Sequence, residues 1–162
     1  VASIIDLCRH LPQRTFAAGE CILEEGKTAG VLYVLAVGVV EITKGEVQIT
    51  TVSDPGAFFG EVSVLLGIPH MASVKAVTDA TLYLAENPHR FLTSSPEIAL
   101  SLAALLAKRL HFVTTYLVDF KRQFEGHEDH FGMVDEVLEN LVHHQAAPST
   151  PGSDRHPDKQ VD

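Results

Sequence analysis

The sequence predicts a mainly β fold: a small antiparallel barrel or sandwich with flanking helices, followed by one long C-terminal helix. Three observations carry this reading. Between about residues 16 and 84, short β-rich runs alternate with Gly19, Gly26, Gly38, Gly45 and Pro55-Gly56, the punctuation of turns between strands. Between Pro96 and Gly126 neither glycine nor proline interrupts the chain, as a single helix requires. The 162 residues are 46% apolar and 20% charged, the balance of a globular chain of about one domain rather than a disordered one.

Taken in order, residues 1–12 place Ile4, Ile5, Leu7, Cys8 and Leu11 at helical spacing, with Pro12 as a stop. The β domain spans 13–87, with strand-like runs at 21–23, 31–36, 37–43, 47–52, 73–77 and 81–84, and Lys44-Gly45 marks a hairpin. A hinge and long helix occupy 88–126. Ser94-Ser95-Pro96-Glu97 offers a helix start, with Ser94 as N-cap, proline in the first turn and Glu97 closing a capping box. Ile98, Leu102 and Leu105 are expected to face the β domain. Leu106, Leu110, Val113, Leu117, Phe120 and Phe124 follow at alternating spacings of four and three, a heptad seam that predicts a homodimer. Residues 127–146 form a further helix with Phe131, Val134, Val137, Leu138, Leu141 and Val142 on one side. Residues 147–162 are polar and proline-rich, and read as a disordered tail.

Charge and cysteine usage exclude several classes. Lys and Arg number 12 against 21 Asp and Glu, a net charge of −9, which has the wrong sign for a duplex-DNA binder. Lys108-Arg109 and Lys121-Arg122 read as solvated helix faces, and residues 125–162 contain no turn and basic recognition helix. No unbroken apolar run approaches the roughly 18 residues of a membrane span, and the start lacks the pattern of an export signal. Two cysteines, Cys8 and Cys21, make neither a disulfide framework nor a four-thiolate site, so a reduced, cytoplasmic protein is expected. His127, Glu128, Asp129, His130, His143 and His144 have ligand-type side chains, but an acidic, histidine-rich surface explains them without a metal. Nucleophile motifs are absent, and no enzyme is expected.

The most informative stretch is Pro55–Val77. Phe59-Gly60-Glu61-Val62 leads to Leu65-Leu66-Gly67 and then to Pro69-His70-Met71-Ala72-Ser73-Val74. This resembles the phosphate-binding cassette of cyclic-nucleotide-binding domains, whose pattern runs Phe-Gly-Glu, Leu-Leu, Pro-Arg-x-Ala-Ser/Thr. Gly19-Glu20, Glu25-Gly26, Leu32-Tyr33-Val34, Gly38, Pro55-Gly56 and Lys108-Arg109-Leu110 extend the resemblance over about residues 14–124. It implies an eight-stranded, jelly-roll-like barrel and cAMP or cGMP as ligand, with no other cofactor. Gly60, Glu61, Val62, His70, Met71, Ala72 and Ser73 then become the binding residues, with Thr114 in the long helix near the base. Glu61 inherits the ribose hydroxyl, and Ser73 fits the position that favours cGMP.

His70 stands where the family carries its phosphate-clamping arginine. Removing one partner of a buried charged pair costs roughly 2–5 kcal/mol. Protonated His70 recovers part of this, since imidazole titrates near neutrality. The nearest other cation is Lys75, whose side of the strand alternation does not fix. Two readings result. One is a regulatory module that senses a cyclic nucleotide weakly or at low pH; the other is a vestigial pocket in a dimeric scaffold for an unidentified protein partner.

Overall fold

A computed structural model describes residues 3–124 and 132–143, the last two by backbone alone. The chain divides into two compact units, Val1–Leu105 and Leu106–Asp162. In the first unit, helix α1 (Ile4–Cys8) opens on a capping box between Ser3 and Asp6. The helix is shorter than its apolar spacing predicts, because Arg9 and Leu11 bond back three residues, to Asp6 and Cys8, and tighten the chain into turns.

Eight strands follow: β1 (Gln13–Phe16), β2 (Cys21–Leu23), β3 (Leu32–Val37), β4 (Val40–Lys44), β5 (Val47–Val52), β6 (Phe58–Phe59), β7 (Ser73–Ala76) and β8 (Ala80–Ala85). They form two antiparallel four-stranded sheets, ordered β1-β8-β3-β6 and β2-β7-β4-β5, a jelly-roll-like arrangement. Between the sheets lie Phe16, Ile22, Leu23, Tyr33, Leu35, Val40, Phe59, Val74 and Leu82, all buried. The alternate residues of β3, Leu32 and Val34, are buried too, on the face where α1 packs. Burial on both faces explains why β3 reads as an unbroken apolar run rather than an alternating one.

Strands β1 and β6 escape the sequence reading. Only Phe16 of β1 is buried, and β6 has two residues, so neither carries a period. The predicted run at 37–43 is broken at Gly38. Its φ of +115° is a backbone that side chains rarely adopt, and a Cβ there would lie 2.7 Å from Ala80 and from the Asp79 carbonyl. The chain therefore turns from one sheet to the other against the start of β8.

Helix α2 (Glu61–Leu66) sits between β6 and β7, and α3 (Pro88–Thr93) follows β8. Helix α4 (Pro96–Gln123) runs for 28 residues and buries Ile98 and Leu102 in the first unit. Its cap differs from expectation. Ser95, not Ser94, accepts the Glu97 N–H at 3.3 Å and donates to the Glu97 carboxylate. The Ser94 hydroxyl instead donates to the Phe91 carbonyl at 2.7 Å and closes α3. Two helices meet here, and one serine serves each.

In the second unit, the rest of α4 and α5 (Gly132–His143) are joined by an ion pair between Lys121 and Asp135. Tyr116, Phe120 and Phe124 form a run of ring contacts along α4. By length and composition α4 suffices to cross a bilayer, although Lys108, Arg109 and Asp119 interrupt its apolar residues. The predicted tail at 147–162, Phe131, and His127, Glu128, Asp129, His130 and His144 lie outside the described residues.

The crossing at Gly38 can be tested against Gly19, whose φ is +89° but which has nothing within 4 Å of a Cβ. Gly19→Ala should cost about 1–2 kcal/mol from backbone strain alone. Gly38→Ala adds overpacking worth about 1–3 kcal/mol more. Urea denaturation measures both, and equal losses would show that the close approach to Ala80 does not constrain the fold.

Candidate functional site

The cassette is built around a reversal at Gly60. This residue caps α2 with φ +89°, and its missing side chain matters: a Cβ would lie 2.8 Å from the Val31 carbonyl. The tight turn carries Glu61 to the first position of α2, where it is 5% exposed. The first N–H to bond within the helix is that of Val64, to the Gly60 carbonyl at 3.1 Å. The N–H groups of Glu61, Val62 and Ser63 thus have no acceptor inside the helix. Ser63, also buried, donates its hydroxyl to the Ile68 carbonyl at 2.5 Å and fixes the loop that leaves α2.

That loop brings His70 back to the start of the helix. Its ring Cε1 lies 3.8 Å from where a Cβ of Gly60 would stand, and the residue is 6% exposed. Two backbone bonds hold it there: Gly26 N–H donates to the His70 carbonyl at 2.8 Å, and His70 N–H donates to the Lys27 carbonyl at 2.9 Å. The Nε2 atom is buried without a hydrogen-bond partner. Burial pushes the imidazole pKa below its ordinary 6.5, while the charge of Glu61 works in the other direction.

The remaining candidates separate. Met71 is exposed, and its carbonyl accepts a 2.8 Å bond from Lys44 Nζ. Val62 and Ala72 are half-buried. The Ser73 hydroxyl accepts the Glu25 N–H at 2.9 Å, so it supports the β2–β3 loop. Lys75 is exposed on β7, opposite the buried Val74 and Ala76, which places it away from the core. Thr114 lies in the second unit, where its hydroxyl donates to the Leu110 carbonyl at 2.8 Å. Gly60, Glu61 and His70 are the trio the structure brings together.

Sequence reasoning missed Lys44 as part of this framework, because it read only as a hairpin residue. Besides holding Met71, Lys44 lies 3.5 Å from Glu25, whose carboxylate accepts the Gly45 N–H at 2.8 Å. That bond, with Lys44 beside it, lowers the Glu25 pKa. Its signal in the sequence is the opposite charge of Glu25, after β2, and Lys44, at the end of β4.

The fold and cassette are those of a domain of the cyclic-nucleotide-binding type. Residues 13–89, the β domain, match the cyclic nucleotide-binding domain. It is 37% identical over 68 residues to an uncharacterized ABC transporter ATP-binding protein of Mycobacterium tuberculosis, a match of 40% of this chain and 21% of that one. It is 33% identical over 101 residues to a cyclic nucleotide-gated potassium channel of Mesorhizobium japonicum, covering 60% of this chain and 27% of the channel. The chain thus spans about a fifth to a quarter of these relatives. Among solved structures, the catabolite activator protein of Thermus thermophilus superposes with a TM-score of 0.59 at 24% identity, covering 86% of this chain and 81% of that one. A protein from a cyclic-GMP-dependent signalling pathway of bacterial phytopathogenesis gives 0.58 at 21% identity, covering 68% and 93%.

A buried neutral histidine has a measurable consequence. The folded pKa of His70 lies below the 6.5 of an unfolded chain, so below about pH 6.5 the unfolded state binds more protons. The contribution of His70 to stability is complete above that value and is lost as the pH falls beneath it. Urea midpoints at pH 5.5 and 7.5 should differ more for the wild type than for His70→Gln. An equal acid loss in both proteins would show that the ring is not held neutral.

Proposed function

We propose that this domain is a non-enzymatic, cytoplasmic sensor of a cyclic purine nucleotide, cAMP or cGMP, with affinity reduced because His70 replaces an arginine. The observation that carries the reading is the buried trio at α2: a glycine turn at the start of the helix, a buried carboxylate and a buried imidazole. Opened N–H groups at a helix start suit a phosphate, and a carboxylate suits a ribose hydroxyl. The Mesorhizobium relative, a cyclic nucleotide-gated channel, supports the ligand class. The output passes along α4 to a protein partner whose identity the site does not encode.

A permanent cation should restore what the histidine lacks. His70→Arg is expected to bind cAMP or cGMP more tightly by about 1.5–3 kcal/mol, the worth of a hydrogen bond to a charged group. Titration calorimetry measures it. Silence of both proteins at millimolar nucleotide favours the other reading, a closed pocket in a dimeric scaffold, for which the burial of the His70 ring against Gly60 speaks.

The homodimer is part of the proposal. Along α4, Leu110, Val113 and Phe124 are 45%, 46% and 41% exposed, and Leu106, Leu117 and Phe120 are half-buried. Each such side chain, already half-buried, gains roughly 1 kcal/mol when fully buried, and a parallel pair of α4 helices is the economical cover for the whole stripe. Leu117→Lys should convert the dimer to a monomer with the β domain still folded, as read by light scattering. A wild-type monomer at tens of micromolar would end the dimer proposal.

A further inference from the structure

We propose that ligand binding in this cassette is coupled to the uptake of one proton at His70, so that the site takes a cyclic phosphodiester and a proton together. The inference rests on the ligand class proposed above and adds its regulation. Its geometric basis is the position of the ring. The Nε2 edge of His70 is buried without a partner, beside the residue whose turn opens the N–H groups of α2. A phosphodiester held at the Gly60 turn would come close to this ring, whose Cε1 is 3.8 Å from the Gly60 Cβ position.

Charge balance supplies the coupling. A bound phosphodiester would add a second negative charge close to Glu61, which is itself buried. The lysines on the adjoining segments are paired or turned outward. On the β2–β3 loop, Lys27 is paired with Glu24 at 2.8 Å. Lys44 on β4 is bonded to Met71 and lies beside Glu25. Lys75 on β7 and Cys21 on β2 are exposed. The imidazole is left as the group that can become positive. Without ligand, burial lowers its pKa and so disfavours the imidazolium. With ligand, the phosphate charge joins that of Glu61 in favouring the imidazolium. One proton moves from solvent to Nε2, the new N–H donates to a phosphate oxygen, and no bond of the nucleotide changes.

The sign follows from linkage. The bound state holds the proton more tightly than the free state, so affinity rises as pH falls between the two pKa values, by up to about tenfold per pH unit. The phosphodiester remains a monoanion throughout this range, so the titrating group belongs to the protein.

Titration calorimetry of the full chain with cAMP and with cGMP, from about pH 5 to pH 8, tests this when repeated in two buffers of different ionisation enthalpy. Wild type should bind more tightly at each lower pH and take up close to one proton per nucleotide. His70→Arg should bind without pH dependence and more tightly than wild type at pH 8, and His70→Gln should bind weakly and without pH dependence. Wild-type binding that ignores pH, or binding by the arginine variant with none by wild type at any pH, overturns the coupling and leaves the ligand class standing. Silence of all three proteins towards both nucleotides overturns the ligand class as well.

Discussion

The cassette depends on one close approach, that of Gly60 to the Val31 carbonyl. With a Cβ at 2.8 Å from that oxygen, the chain could not pass from β6 into α2 at this angle. The left-handed turn puts Glu61 inside the first unit at once, without intervening loop, and starts a helix whose first N–H groups are unused within it. Every later feature of the site uses this starting point. His70 is positioned by packing against it, and Ser63, two residues into the helix, ties the exit loop to the same short element.

Around this turn the framework is mostly backbone. The pair of hydrogen bonds between His70 and the Gly26-Lys27 loop holds the residue whatever its side chain does. Lys44 holds the His70-Met71 loop through the Met71 carbonyl, and Glu25 ties the β2–β3 loop to Gly45 and to the Ser73 hydroxyl. An exchange of arginine for histidine can therefore change the chemistry of the pocket while its walls stay in place. The charged side chains of the frame are consumed in mutual pairs, and the titratable group inside is left to answer to the ligand and to Glu61.

Much of this was legible in the sequence because it depends on local chain geometry. The order of β-rich runs, the proline that opens α4 and the cassette motif all act within a few residues of where they are read, whereas the glycines at 38 and 60 are legible by type but are required by the distant Ala80 and Val31. The elements that escaped have no local period: β1 buries one residue of four, and β6 is a two-residue strand defined by its partner β3. The choice between Ser94 and Ser95 as cap depended on where α3 ends, which neighbouring residues decide together.

The sequence by itself determined the fold class, the family and the departure at His70, since these follow from residue type and order. Tertiary structure decided what those residues do. It turned Lys75 outward on β7, spent the Ser73 hydroxyl on Glu25, and gave Lys44 to Met71 and Glu25, leaving His70 as the buried group beside Gly60. The physical reason is that burial and charge pairing belong to contacts between distant segments. A histidine's proton is governed by the groups that surround it in space, and the Gly26-Lys27 loop, Gly60 and Glu61 meet His70 only after the chain has folded.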